Sequence, residues 1–341
     1  MTSPPRHAPE VKPATAVPDP NTAVWSRYWA QGALHSCATS YDGAYGGALA
    51  AFWRTQFVDL KPGQQVLDIA TGNGALPQLL LQTMATTGFQ CDAIDRAAIV
   101  PTWAAALPPT LRERLRFHAQ IAAEQLPFAD SRFDLVISQY GIEYAELPQA
   151  LRELLRVLRP DGRVALVLHH AASRPALLAR IELDHIGWLR AADGLLAAAA
   201  DMVAPVVEAA TAEGRARLSR SADAEALRQR FNAAQVALRQ RLEARHDGAD
   251  VLQEAQDATA RVLQLAGTRG EAAARLALQR FHLALSDQQA RLTGLCEHAL
   301  DEPQVQQVGA SLRAAGRAVN IAPLHEGPHL MGWSLVAAPQ R

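Results

Sequence analysis

Val66-Leu67-Asp68-Ile69-Ala70-Thr71-Gly72-Asn73-Gly74-Ala75-Leu76 is the stretch on which the rest of the chain hangs. Its front, Val66 to Ala70, is apolar and partly β-branched, the composition of a strand buried in a parallel sheet. Its middle, Thr71 to Gly74, is a glycine turn. Behind it Leu76, Leu79, Leu80, Leu81 and Met84 open a helix, with Pro77 in the first turn, where a missing N–H costs little. Strand, turn and helix make a nucleotide-type cradle: glycines let the backbone approach a ligand, and a helix start offers unsatisfied N–H donors.

Two ligand types compete for such a cradle. A dinucleotide fingerprint requires Gly-x-Gly-x-x-Gly, and Pro77 stands at the third glycine. Asp68, four residues before Gly72, would repel a pyrophosphate and suit a cationic amino group. That favours S-adenosylmethionine (SAM), which carries an ammonium and a sulfonium and no phosphate. Asp-Ile-Ala-Thr-Gly-Asn-Gly resembles the first motif of class I SAM-dependent methyltransferases, in the form seen in quinone-biosynthesis C-methyltransferases. The resemblance implies an α/β, Rossmann-like seven-stranded sheet. It also implies that Asp68, Ala70, Gly72 and Gly74 hold the methionine portion of the cofactor.

Composition narrows the class further. The chain has 341 residues, enough for a large domain or a core with an added subdomain, and a formal charge of −1. That balance argues against a nucleic-acid or anionic-membrane footprint. No apolar run is long enough to span a bilayer, and the N-terminus lacks the apolar core of a signal peptide. Cys37, Cys91 and Cys296 are scattered and suggest neither a disulfide framework nor a metal site. A cytoplasmic enzyme without a metal is expected.

Residues 1–20 are proline-rich and read as a disordered tail. Residues 21–58 are crowded with aromatic side chains: Trp25, Tyr28, Trp29, His35, Tyr41, Tyr45, Phe52, Trp53 and Phe57. They read as an N-terminal helical lid whose rings, Tyr28 and Trp29 among them, face a cationic cofactor. Residues 59–172 and 303–341 form the SAM-binding core. Phe89 to Asp95 is a second strand, and Asp95, 21 residues past Gly74, is placed to accept from ribose hydroxyls, with Arg96 beside it. Residues 97–114 are helical but interrupted by prolines, and Leu115 to Gln120 is a third strand. Ala122-Ala123-Glu124-Gln125-Leu126-Pro127-Phe128 resembles the family loop that cups adenine, with Ala122 replacing its usual acid. Phe133 to Gln139 is a fourth strand whose carboxyl end brings Ser138, Gln139 and Tyr140 to the cofactor. Leu147 to Leu158 is an amphipathic helix, Arg159 to Arg163 a tight turn, and Val164 to Leu168 a fifth strand ending at His169 and His170. Neighbouring strand residues point to opposite faces, so a metal pair is disfavoured there.

From 173 to 302 the composition changes to Ala, Leu, Arg, Gln and Glu. This is an α-helical insertion before the last two strands, a cap or a homodimer surface. A helix from Val305, a strand from Arg317 and a strand from His329 then close the sheet with an antiparallel pair. That ending suits a methyltransferase better than a dehydrogenase. A SAM-dependent methyltransferase of a small organic acceptor is the expected activity, with His35, Glu143, Tyr144 and His169 as candidate proton-handling groups. Alternatives are a SAM-binding interaction protein without turnover, and methylation of a protein or tRNA.

Overall fold

The computed structural model describes residues 20–36, 45–244 and 247–340. The expected tail but for Pro20, which begins a helix, and Cys37 and Tyr41 of the aromatic segment lie outside them. The chain divides into two compact units. One is formed by the chain up to Arg174 and from His298 onward, the other by Pro175–Glu297.

The first unit contains, among the described residues, one seven-stranded sheet. Its strands are β1 (Gln65–Ile69), β2 (Gln90–Asp95), β3 (Leu115–Ala119), β4 (Phe133–Gln139), β5 (Leu158–Leu168), β6 (Arg317–Glu326) and β7 (His329–Pro339), in the order β3-β2-β1-β4-β5-β7-β6. The first five run parallel, and β7 joins antiparallel to β5 and β6. Strand order reverses between β1 and β4, the switch point outside which open α/β sheets bind their ligands. The expected second and third strands are each one residue shorter than read from sequence.

Helices cover both faces. Around the sheet lie α1 (Pro20–Ala30), α2 (Gly47–Phe57), α3 (Ala75–Thr83), the short α4 (Thr102–Ala105) and α5 (Pro109–Arg112), and α6 (Leu147–Val157). The inserted unit contributes α7 (Arg174–Arg190), α8 (Leu195–Glu208), α9 (Ala212–Leu218), α10 (Ala222–Ala244), α11 (Asp250–Arg269) and α12 (Glu271–His298). The chain returns to the sheet through α13 (Glu302–Ala314). Alternation along β1 assigns the two faces. Leu67 and Ile69 pack with Leu151 and Leu154 of α6 and Val305 and Leu312 of α13. Val66 packs with Trp53 and Phe57 of α2 and Leu79 and Leu80 of α3. With a period of two, Asp68 faces the α2 and α3 side.

The inserted unit has its own core. Ile186, Leu189, Leu195, Val203, Phe231, Leu238, Val251 and Val262 are buried together, with α8 against α10 and α11. Its ion pairs, such as Arg230 with Asp201 at 2.6 Å, are exposed and add little.

One expected turn is different. Residues 159–162 belong to β5, but its ladder with β4 jumps from Phe133–Leu158 to Leu135–Arg163, so they loop out as a bulge. Gly162 suits the bulge, since a Cβ would crowd the Leu158 side chain at 2.8 Å and the Phe133 carbonyl at 3.0 Å. The freed carbonyls of Arg159, Pro160 and Gly162 accept from the buried Arg317 guanidinium at 2.8–3.0 Å. At the other end of β6, Glu326 accepts at 2.5 Å from the Ala48 N–H at the start of α2. Gly47 makes room for that carboxylate, which would lie 2.0 Å from any Cβ.

Arg317→Lys keeps the charge but not the fork that reaches three carbonyls. It is expected to destabilise the protein by about 1–3 kcal/mol in urea unfolding. An unchanged midpoint would show that the bulge holds without it.

Candidate active site

The cradle is built from backbone that few side chains tolerate. Ala70, just past β1, is at φ +59°, and Gly72 and Gly74 follow at +56° and +84°. A Cβ on Gly72 would lie 2.7 Å from the Trp29 ring, and one on Gly74 would lie 2.7 Å from Phe117. The first needs glycine because α1 lies on the turn, the second because the turn is wedged against β3. The Gly72 N–H is taken by Asp95 Oδ2 at 2.8 Å, and Asp95 Oδ1 accepts from Ala97 N at 2.8 Å. The end of β2 thus fixes the turn that follows β1. β4 is followed in a similar strained way by Tyr140 at φ +53°. Gly141 follows it, and a Cβ there would meet Ala70.

A cavity of about 320 Å³ opens at this edge. Of the residues expected at the cofactor, Trp29, Asp68, Ala70, Gly72, Asp95, Arg96, Ala123, Glu124, Gln139 and Tyr140 line it. Of the proton-handling candidates, His35 and Tyr144 line it. Others shape the site without forming its wall. Gly74 starts α3. Ser138 Oγ donates to the Ile69 carbonyl at 2.8 Å and accepts from Ile142 N, tying β4 to β1. The Tyr28 hydroxyl donates to the His35 carbonyl at 3.0 Å. Glu124 accepts from Glu146 N at 3.1 Å while also facing the cavity, so it caps the loop as well.

Glu143 and His169 lie one layer behind the wall, both buried. Glu143 Oε1 accepts from the His169 backbone N–H and is 2.8 Å from Nδ1. The imidazole stacks on Tyr140, centroids 4.3 Å apart, and meets Tyr144 edge-on at 5.9 Å. Its neighbour His170 turns away and stacks on Trp333.

Three buried polar groups on the cavity wall have atoms with no hydrogen-bond partner among the described residues: both oxygens of Asp68, Thr71 Oγ1 and Gln139 Nε2. Gln139 Oε1 is already engaged by the Trp53 indole N–H, which turns its amide nitrogen free. Burial pushes the Asp68 carboxyl up to about 8; the nearby Thr71 hydroxyl opposes the shift without reaching hydrogen-bond geometry, and Asp95 adds to it. Burial likewise raises Asp95 to about 6 against the two N–H groups it accepts from. Asp92, the other carboxylate of β2, is fully engaged on the far side by Arg132 and His118.

Sequence inspection missed Asn73, buried inside the glycine turn, and His298, which lines the cavity and stacks on Tyr144 at 4.7 Å. The glycines on either side signalled the turn, but nothing in the sequence marked the side chain between them. His298 comes from a distant helix end with no motif around it.

Sheet order, glycine turn and paired carboxylates are those expected from the resemblance to class I SAM-dependent methyltransferases. Residues 67–166 match the family described as "Methyltransferase domain". The ubiquinone/menaquinone biosynthesis C-methyltransferase UbiE of Ectopseudomonas mendocina is 33% identical over 156 residues, which are 43% of this chain and 60% of that one. The 2-phytyl-1,4-naphtoquinone methyltransferase of Synechococcus elongatus is 34% identical over 119 residues, 34% of this chain and 51% of that one. The chain thus spans three fifths or less of the length of these relatives. Among solved structures, geranyl diphosphate C-methyltransferase of Streptomyces coelicolor aligns with TM-score 0.36 at 15% identity, over 45% of this chain and 67% of that one.

The carboxyl of Asp68 ionises near 3.8 in an unfolded chain and near 8 in the fold. The folded state therefore holds a proton that the unfolded state gives up. Stability of the ligand-free protein falls as pH rises from about 4 to about 8, then levels off. Asp95 adds to the lower part of that window. Asp68→Asn should flatten most of this slope in urea unfolding compared between about pH 5 and about pH 8. A slope equal to the parent's would place the titrating group elsewhere.

Proposed function

We propose that the chain is a SAM-dependent methyltransferase acting on a small organic acceptor. The observation that carries this is the set of unpartnered polar groups on one wall: a carboxylate at Asp68, and the Gln139 amide N–H with the Thr71 hydroxyl. Buried polar groups left unpaired are costly. An amino-acid head group answers both kinds, its ammonium at Asp68 and its carboxylate at the two donors. A pyrophosphate would instead face Asp68 and Asp95 across the turn.

When bound, SAM supplies a methyl group already activated for attack by a nucleophile. The chain's own residues bind, orient and exclude water. Asp95 keeps lone pairs for hydroxyl donors beyond the two N–H groups it accepts from. Arg96, Ala123 and Glu124 lie on the wall where a base would rest. Trp25, Trp29, Tyr140 and Tyr144 line the cavity, and a cation is attracted to aromatic faces. His35 and His298 both bring an imidazole to the wall, and His35 takes a proton where the acceptor must lose one. Glu143 holds His169 in one tautomer, and His169 in turn seats Tyr140 and Tyr144. The relatives from quinone biosynthesis support a small acceptor. Among the described residues no helix is long and apolar enough to cross a membrane.

Asp68→Ala should weaken SAM binding at least about tenfold in calorimetry, since a desolvated charge pair is lost. An unchanged affinity would overturn the cofactor assignment. Incubation of the protein with SAM and a small-metabolite extract should yield S-adenosylhomocysteine. Binding without any product, or product only with a protein or tRNA fraction, would replace the small-acceptor proposal.

A further inference from the structure

We infer that Asn73 is a positioning residue that locks α1 onto the cofactor turn, so that cofactor binding and docking of α1 are one coupled event. The inference rests on the cofactor proposed above for this cavity.

Asn73 sits between Gly72 and Gly74 with 2% of its surface exposed. Its Nδ2 donates to the Trp29 carbonyl at 2.9 Å and to the Ala33 carbonyl at 2.7 Å. Its Oδ1 accepts from Val100 N at 2.9 Å. Two carbonyls lie at one end of the amide and an N–H at the other, so only this orientation satisfies all three. The Asn73 backbone carbonyl accepts from the Trp103 indole at 2.7 Å. One residue therefore ties together the turn after β1, the segment after β2 and the end of α1.

The end of α1 also carries carbonyls that need partners. A helix leaves its last carbonyls unsatisfied, and here Trp29 O takes the Asn73 amide besides the Gly32 N–H. A second tie lies upstream, where Ser26 Oγ accepts from Ala98 N at 3.0 Å. What the latch holds in place is chemical: Trp25 and Trp29, stacked at 5.5 Å, form part of the cavity wall, and the Trp29 ring lies on Gly72. A ligand seated on Gly72 thus meets a wall whose position is set from inside the same turn. By linkage, whatever docks α1 raises cofactor affinity, and the cofactor docks α1 by the same factor.

Hydrogen–deuterium exchange over residues 21–36, with and without SAM, tests this together with calorimetry. In the parent protein SAM should slow exchange of that segment. Asn73→Ala should speed exchange without ligand, weaken SAM binding about tenfold or more, and abolish the SAM-dependent slowing. Asn73→Asp keeps the acceptor for Val100 but cannot donate to the two carbonyls. It should therefore loosen residues 21–36 while leaving exchange around Val100 unchanged, a split that general destabilisation would not produce. Ser26→Ala, which leaves the turn untouched, should act in the same direction more weakly, and it carries the test should Asn73→Ala not fold. Equal exchange of residues 21–36 in the parent and in the Asn73→Asp protein overturns the latch. A parent protein that binds no SAM would refute the cofactor proposal instead, and the ligand-free exchange difference still decides the latch.

Discussion

A carboxylate buried with no cation to answer it is the constraint around which the sheet edge is organised. Asp68 sits on the central strand, on the face covered by α2 and α3, and burial alone would favour an apolar side chain there. Every nearby feature preserves its access to the cavity. The turn after it needs two left-handed glycines, Ala70 itself is left-handed, and Asp95 from the neighbouring strand spends both oxygens on backbone N–H groups of the turn and its own loop. The two carboxylates are treated oppositely: one is used to build the cradle, the other is left unspent. The fold tolerates that unspent group because Asp68 stays largely protonated until something cationic arrives.

The frame of the first unit was legible because its signals are local. Glycine spacing, the runs of β1 and β4, the acid at the end of β2 and the final strand pair each lie within a few residues of the structure they specify. The seven-stranded sheet was expected from the resemblance those signals carry, and the structure brings Asp68, Gly72, Asp95, Gln139 and Tyr140 to one cavity. The bulge at residues 159–162 was read as a turn because Pro160 and Gly162 are turn formers. What keeps that segment in the sheet is Arg317, far along the chain, whose partners are backbone carbonyls and leave no trace in the sequence.

The remaining differences have the same origin. Ser138 and Gly74 stand in motif positions, yet their contacts are with Ile69 and Phe117, so they shape the wall and do not form it. Glu143 and His169 are candidate proton-handling groups at the sheet edge by sequence, and the structure pairs them one layer behind the cavity wall. Asn73 and His298 carried no signal, because their roles depend on segments brought to them by the fold: α1 for one, Tyr144 for the other. A motif fixes its own backbone; it does not announce which distant segment its side chains will meet.

The carboxylate of Glu326 on the start of α2 joins positions 278 residues apart. During synthesis α2 emerges early and the carboxylate that meets its N-terminus nearly last. The sheet is in the same position, since β7 must insert beside β5 after the whole inserted unit has been made. Pairings at such long range are slow to form, and a nascent chain at that stage carries an unclosed sheet edge at β5. The helical unit, with a core of its own, has all the residues it needs before that edge is covered. The order of emergence therefore makes the insertion complete before the site that surrounds it in sequence, and the last hairpin is what closes both the sheet and the cap of α2.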